Sequence, residues 1–207
     1  MCGIIGYIGK RDAFPILIKG LEMLEYRGYD SAGIAIMDDN LKVYKKKGKV
    51  AEVYKHAKEH GAKGNIGIGH TRWATHGEPS DRNSHPHTSA SGKIAIIHNG
   101  IIENYAVLKS ALIKEGHTFT SDTDTEVLAH LIEAVKEKGN LTLLEAVRQS
   151  LTQVVGAYAI IVMDESDKDT LIVARKGSPL VIGIGEEEFF VASDGSPISG
   201  YTKSVIY

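Results

Sequence analysis

The pattern of apolar and polar residues divides the chain into short strands and amphipathic helices. Short apolar or glycine-rich runs predict strands at 3–8, 33–37, 42–46, 66–72, 94–98, 157–163, 170–175, 180–184 and 189–192. Apolar residues at helical spacing predict helices over 13–24, 50–60, 104–115 and 123–135, and a further helix that opens at Thr142. Hairpin-like turns join several strands, and helices occur in adjacent pairs. This order argues against a doubly wound parallel sheet and favours two sheets covered by helices on their outer faces.

Composition restricts the class of protein. The 207 residues include 43% hydrophobic and 24% charged ones, which is enough for a proper core, and we expect a single domain. The formal net charge of −2 gives no electrostatic reason to expect binding to nucleic acid or to an anionic membrane. No apolar run approaches the length of a membrane span, and the single cysteine excludes an internal disulfide, so we expect a cytoplasmic protein. The basic run over 45–49 is interpreted as one solvated strand and its turn.

Cys2 is the first candidate for chemistry. A free cysteine is most often a small buried hydrophobe. Here a strand is predicted to begin at residue 3, which would hold the chain terminus in place, and a cysteine at position 2 permits removal of Met1. The α-amine exposed in this way titrates at ~7.7–8.0, so it is able to take the thiol proton and act as the base of an N-terminal nucleophile.

The second candidate is the pair Asn99–Gly100, which follows an apolar strand. The dipeptide by itself is a turn signal. An Asn side-chain amide beside a glycine N–H also supplies two donors suited to an oxyanion, and losing one such donor costs ~100-fold to 1,000-fold in rate. Taken alone, the dipeptide favours the turn.

Three further candidates lie at the ends of predicted elements. Arg72 ends a predicted strand. An arginine there usually makes a surface ion pair, but its planar donors are also suited to a forked contact with a substrate carboxylate. Trp73, the only tryptophan, begins a long polar loop over 73–92, either as a lid or as an anchor for that loop. Asp124 lies in the predicted capping box 123–126, where it favours the helix dipole or binds a substrate ammonium. Arg72 and Asp124 together would recognise both ends of an α-amino acid.

Five motifs occur in an order that resembles one known family. They are Cys2–Gly6, Glu25–Gly33, His70–Pro79, His98–Asn104 and Ser121–Glu126. Together they resemble the glutaminase domain of the glutamine–fructose-6-phosphate aminotransferases, within the class II, N-terminal-nucleophile glutamine amidotransferases. The resemblance runs from residue 2 to about residue 194. It implies a four-layer αββα fold of two mainly antiparallel sheets, which is the N-terminal nucleophile hydrolase fold.

The resemblance also implies a role for the candidates at the reacting centre. Cys2 is similar to the family's nucleophile, and Asn99 with Gly100 to its oxyanion hole. Arg72 and Asp124 match the positions that bind the α-carboxylate and α-amino groups of L-glutamine. The implied reaction hydrolyses glutamine to glutamate and ammonia through a γ-glutamyl thioester, with no cofactor and no metal.

Other residues and partners follow from the same resemblance. Trp73, Thr75 and His76 lie in what resembles the glutamine-gating loop, and Arg27 resembles a secondary active-site residue. Full-length members of the family are homodimers with a sugar-phosphate isomerase domain, in which the ammonia converts fructose 6-phosphate to glucosamine 6-phosphate. We expect the chain 1–207 to be one glutaminase domain without the isomerase half, because its last 13 residues match the family only loosely.

Competing classes of function remain open on the residues alone. The histidines that cluster in sequence favour a metal-dependent hydrolase, although His85 and His87 lack a carboxylate at a recognisable ligand spacing. A non-enzymatic regulatory domain is a third class, and the presence of every expected site residue argues against it. Among amidotransferases, the purine-pathway phosphoribosyltransferase and asparagine synthetase share the nucleophile and the oxyanion pair. The residues at 26–30 and 71–76 fit the hexosamine enzyme better.

Overall fold

The computed structural model describes residues 2–73 and 77–207 of the chain. Its strands are β1 (Gly3–Ile8), β2 (Ser31–Met37), β3 (Leu41–Lys47), β4 (Ile66–Arg72), β5 (His87–Thr88), β6 (Ile94–Ile102), β7 (Gly156–Asp164), β8 (Asp167–Lys176), β9 (Val181–Ile184), β10 (Phe189–Ala192) and β11 (Ser204–Ile206). Its helices are α1 (Ala13–Leu24), α2 (Val50–Glu59), α3 (Tyr105–Lys114), α4 (Asp124–Gly139) and α5 (Leu143–Leu151). A short 3₁₀ turn, Glu25–Arg27, follows α1.

Within these described ranges the strands form two sheets. The larger sheet has seven strands in the order β11-β9-β10-β1-β4-β2-β3, and the smaller has four in the order β5-β6-β7-β8. Neighbouring strands pair antiparallel in both sheets. β1 lies in the interior of the larger sheet, between β10 and β4. Its first residue, Gly3, is opposite Thr71 near the end of β4.

Three apolar clusters separate four layers. The first cluster packs α1 and α2 against the larger sheet through residues such as Leu17 and Val53. The second packs the remaining helices against the smaller sheet through residues such as Ile132. The third lies between the two sheets and includes Ile68 and Ile161. The predicted αββα arrangement is therefore confirmed. No helix in the described part of the chain is long and apolar enough to cross a membrane.

The structure departs from the prediction at Asn99–Gly100. β6 continues through both residues to Ile102, so the interpretation of this dipeptide as a turn is wrong. Gly100 adopts φ +127°, and a Cβ there would lie 2.1 Å from the carbonyl oxygen of Ala157 on β7. Glycine therefore lets β6 and β7 stay paired where a side chain would force them apart.

The predicted capping box at the start of α4 is only half formed. Thr123 caps the helix by accepting the Glu126 N–H. The Glu126 carboxylate instead accepts the backbone N–H groups of Thr120 and Ser121, which lie in the preceding loop. This carboxylate satisfies loop donors that the fold would otherwise leave unpaired. At the start of α5, where the sequence predicts a helix that opens at Thr142, a capping box from Thr142 to Glu145 is complete.

The expectation of a solvated basic strand is wrong for one lysine. β3 is a strand, but Lys45 is partly buried, and its ammonium donates to the carbonyl oxygens of Ser84 and Pro86 at 3.0 and 3.3 Å. Burial lowers the pKa of this lysine. The contact fastens the segment that carries β5, a short strand inside the predicted loop 73–92, to the edge of the larger sheet.

The interior becomes polar where β4 of the larger sheet meets β6 of the smaller one. His70, His85, His87 and His98 are all buried there. The rings of His70 and His85 stack with their centroids 4.1 Å apart, and those of His85 and His87 meet edge to face at 4.7 Å. Burial lowers the pKa of all four imidazoles, that of His70 to about 3. These rings are therefore neutral in the folded protein at neutral pH.

We expect the free energy of unfolding to decrease as the pH falls below about 6.5. The histidines are protonated in the unfolded chain below this value, whereas in the fold His70 stays neutral to about pH 3. Each such histidine removes up to about 1.4 kcal/mol of stability per pH unit in this window. Urea unfolding measured between about pH 5 and 7.5 gives the slope.

Two variants test the origin of that slope. His87→Gln should reduce the slope of unfolding free energy against pH by up to the contribution of one histidine. His60→Gln, at an exposed histidine, should leave that slope unchanged. A free energy of unfolding that does not change with pH in this range would contradict the prediction.

Candidate active site

Two side-chain hydroxyls hold the chain just after Cys2. The Gly3 N–H donates to Thr71 Oγ1, and the Ile4 N–H donates to Ser193 Oγ, each at 3.1 Å. Thr71 belongs to β4 and Ser193 directly follows β10, so both neighbours of β1 contribute. The start of β1 is therefore fixed instead of frayed, as the sequence predicts.

The Cys2 sulfur lies against the end of β4. The Trp73 N–H donates to Cys2 Sγ at 3.2 Å, and the thiol lies 3.7 Å from the Trp73 carbonyl oxygen. Burial raises the pKa of the Cys2 thiol, and the bond from Trp73 opposes that change only in part. A thiol of raised pKa is mostly protonated at neutral pH, so chemistry at this sulfur requires a base close by.

The side chain of Asn99 is bonded on both sides. Its Nδ2 donates to the Cys2 carbonyl oxygen at 3.1 Å, and its Oδ1 lies 2.9 Å from His70 Nε2. A side-chain amide nitrogen carries two hydrogens, so the bond to Cys2 leaves a second donor for another acceptor. Gly100 follows in β6 and lines the pocket beside Cys2. The structure therefore brings the predicted pair to the predicted nucleophile.

Arg72 and Asp124 place opposite charges at the same pocket. Arg72, the last residue of β4, is 4% exposed, and its Nη2 donates to the Gly77 carbonyl oxygen at 3.2 Å. Asp124, the first residue of α4, accepts the Ile102 N–H at 2.8 Å through Oδ2. Because Arg72 comes from the larger sheet and Asp124 from the helix layer over the smaller sheet, only the packing of the layers brings their charges together.

A small pocket collects most of these groups. Its cavity volume is about 50 Å³, and the described residues that line it are Cys2, Arg72, Trp73, His85, His98, Gly100, Ile101, Thr123, Asp124 and Thr125. Sequence reasoning missed the two threonines, which lie in the first turn region of α4, and it considered His85 only as a metal ligand. In the ranges 2–73 and 77–207, no group of three or more His, Cys, Asp or Glu side chains is arranged to hold a metal ion.

The remaining candidates take different positions. Trp73 lines the pocket and is 53% exposed. Its ring lies so close to Gly28 that a Cβ at that glycine would be 2.7 Å from a ring atom. Arg27 contacts Asp194, with 2.9 Å between Nη1 and Oδ2, and it is not one of the described residues that line the pocket. Thr75 and His76 lie outside the described residues.

Comparisons with known proteins identify the family of the chain. A model of the glutamine amidotransferase domain matches residues 70–199. The isomerizing glutamine–fructose-6-phosphate aminotransferase of Bacteroides thetaiotaomicron is 59% identical over 209 residues, which cover 100% of this chain and 34% of that protein. The same enzyme of Chlorobaculum tepidum is 56% identical over 211 residues, with 100% and 34% covered. The chain thus spans about a third of the length of these relatives.

Solved structures show the same fold. A glutamine phosphoribosylpyrophosphate amidotransferase from B. subtilis superposes with a TM-score of 0.83 at 36% identity, covering 97% of this chain and 44% of that one. Sequence and fold therefore agree, and the family model alone matches more than half of the chain. The chain belongs to the glutamine amidotransferase domain family, as its ordered motifs predict.

Proposed function

We propose that this chain hydrolyses L-glutamine to L-glutamate and ammonia through a γ-glutamyl thioester on Cys2. The observation that carries the proposal is the convergence of Cys2, Arg72, Gly100 and Asp124 on one pocket. A thiol, a guanidinium and a carboxylate at one site suit a substrate with a reactive carbonyl group and both charges of an α-amino acid.

The proposed reaction begins with proton transfer from the Cys2 thiol to the α-amine of the same residue, after removal of Met1. The thiolate attacks the glutamine δ-carbon, and the amide oxygen becomes an oxyanion that the Asn99 side chain and the Gly100 N–H stabilise. The ammonium of Cys2 returns its proton to the leaving nitrogen, so the C–N bond breaks and ammonia departs. Water then adds to the thioester, and glutamate leaves with regeneration of the thiol.

Substrate recognition is proposed to divide between charges and a loop. Arg72 binds the α-carboxylate and Asp124 the α-ammonium, and the burial of Arg72 supports a strong contact. Trp73, Thr75 and His76 form the gating loop of this proposal, supported by the family resemblance and by the place of Trp73 at the pocket. Arg27 is proposed to have a secondary role, without direct contact to the substrate.

The placement of Arg27 supports such an indirect role. Its Nη1 lies 3.5 Å from the Ser193 hydroxyl, which accepts the Ile4 N–H of β1. Arg27 therefore supports the segment that follows Cys2 and need not touch the substrate.

The activity of a longer protein is a separate proposal. The similar full-length enzymes of B. thetaiotaomicron and C. tepidum are named for fructose 6-phosphate, and each is about three times the length of this chain. We infer that ammonia from this domain serves an isomerase domain that makes glucosamine 6-phosphate, in a cytoplasmic homodimer. The identities of 59% and 56% favour this acceptor over phosphoribosylpyrophosphate, whose amidotransferase is 36% identical.

The first prediction from this proposed function concerns removal of Met1. Protein expressed with methionine aminopeptidase inhibited should retain Met1 and release glutamate about 100-fold or more slowly than processed protein, because general base catalysis contributes ~100-fold to 10,000-fold. Intact mass identifies the two forms, and a glutamate assay compares them. Cys2→Ala is the control and should be inactive in both. Equal rates would show that the α-amine is not the base.

A second prediction separates ammonium binding from structural support at Asp124. Asp124→Asn keeps an oxygen for the Ile102 N–H but loses its charge, so kcat/KM for glutamine should fall by about 10- to 100-fold, as for a lost charge-assisted hydrogen bond. The rate with 4-carbamoylbutanoate, which lacks the α-amine, should not change. Asp122→Asn, at an exposed neighbour, is the matched control. An equal loss with both substrates would contradict the assignment.

The third prediction tests the division of activities between domains. With glutamine and fructose 6-phosphate supplied together, the chain alone should form glutamate and ammonia but no glucosamine 6-phosphate. Enzymatic ammonia detection and mass spectrometry of the sugar phosphates follow the two products. Formation of glucosamine 6-phosphate by this chain would refute the proposed division.

A further inference from the structure

His70 is buried beside the proposed oxyanion hole, yet the proposed reaction gives it no part. It lies on β4 two residues before Arg72 and has no exposed surface. We propose that His70 is a positioning residue that holds the Asn99 amide with its nitrogen toward the reacting centre. The inference rests on the proposed function, because it concerns the donor that Asn99 offers to the oxyanion.

The contacts of His70 determine which of its nitrogens carries the hydrogen. Nε2 lies 3.0 Å from the His98 carbonyl oxygen and 2.9 Å from Asn99 Oδ1. A backbone carbonyl only accepts hydrogen bonds, so Nε2 must be the donor. The ring is neutral, since burial lowers its pKa to about 3, and Nε2 therefore holds its single hydrogen.

A donor at that position determines the orientation of the Asn99 amide. Its oxygen must face the His70 N–H, and its nitrogen then faces the Cys2 carbonyl oxygen at 3.1 Å. The reversed amide would place N–H against N–H at His70 and oxygen against oxygen at Cys2. Both hydrogen bonds would be lost in a partly buried setting, where leaving polar groups unsatisfied is unfavourable.

The His70 ring is itself held in place. It stacks on His85 with an interplanar angle of 28°. His85 Nε2 and His98 Nδ1 both contact Thr125 Oγ1, at 2.9 and 3.0 Å. A chain of contacts thus extends from the first turn of α4 through the histidines to Asn99.

The consequence for catalysis follows from where the charge forms. A correctly oriented Asn99 offers a second N–H to the oxyanion, whereas a reversed one offers an oxygen lone pair that repels it. Charge on the amide oxygen develops in the transition state, so the orientation of Asn99 affects kcat more than substrate binding. Loss of the orientation should approach the ~100-fold to 1,000-fold effect of a missing oxyanion donor.

The test compares variants that keep or remove the donor. His70→Gln places an amide N–H near the position of Nε2, and His70→Met fills similar space without a donor. We expect His70→Met to lower kcat by about 10- to 1,000-fold with little change in KM, and His70→Gln to recover most of that loss. His130→Met, at a buried histidine of α4 that packs on Phe119 and does not line the pocket, should keep the wild-type kcat.

Further measurements separate positioning from general damage. Glutamate γ-semialdehyde forms a thiohemiacetal whose oxygen occupies the oxyanion hole, so His70→Met should weaken its inhibition by the same factor as kcat. Inhibition by glutamate and alkylation of Cys2 by iodoacetamide need no oxyanion donor and should stay unchanged. On an Asn99→Ala background, His70→Met should cause no additional loss of kcat.

Several outcomes would overturn the inference. They are a wild-type kcat in His70→Met, an equal loss in His130→Met, or a loss of iodoacetamide reactivity that parallels kcat. Where His70→Met does not fold, His70→Asn replaces it, because its shorter amide does not reach Asn99, and equal rates for His70→Asn and His70→Gln would again refute the proposal. Glutamine hydrolysis that survives Cys2→Ala would instead refute the proposed function, so the two failures are distinct.

Discussion

The arrangement of this site depends on the pairing of β1 inside the larger sheet. A chain terminus is ordinarily frayed, yet here β4 and β10 flank the first strand on both sides. The hydroxyls of Thr71 and Ser193 then bind the first backbone N–H groups of that strand. The backbone directly after position 2 is thereby held in place, as the proposed use of the Cys2 α-amine requires.

A second constraint is that the interface between the two sheets changes from apolar to polar toward the pocket. Their middle is apolar and includes residues such as Ile68 and Ile161. Toward the pocket the same interface contains four buried histidines. Burying neutral imidazoles provides directed hydrogen bonds without a buried charge, which suits a region beside a reacting centre. The stability of this region is linked to pH for the same reason.

The charges of the pocket are supplied from opposite sides of the fold. Arg72 comes from the larger sheet, and Asp124 from the helix layer that covers the smaller one. The proposed recognition of a substrate with two charged ends therefore depends on how these layers pack together. Asp124 also accepts the Ile102 N–H at the end of β6, so one carboxylate connects the pocket to the strand that carries Asn99 and Gly100.

The sequence by itself determined the order and type of most elements. Short apolar or glycine-rich runs located the strands from β1 to β4, and the helical stripe over 13–24 matches α1. The ordered motifs also identified the family through their resemblance to it. These features are local, so a single stretch of chain contains the information for each.

Tertiary structure alone decided how those stretches meet. It placed Asn99 and Gly100 inside a strand, because the fit of Gly100 against Ala157 depends on the neighbouring strand β7. It drew Lys45 toward carbonyl oxygens of a distant segment, which required donors. It also directed the Glu126 carboxylate to N–H groups of the loop just before α4, which left the predicted capping box half formed. It also set His70 against Asn99, a contact between the two sheets that no spacing along the sequence encodes.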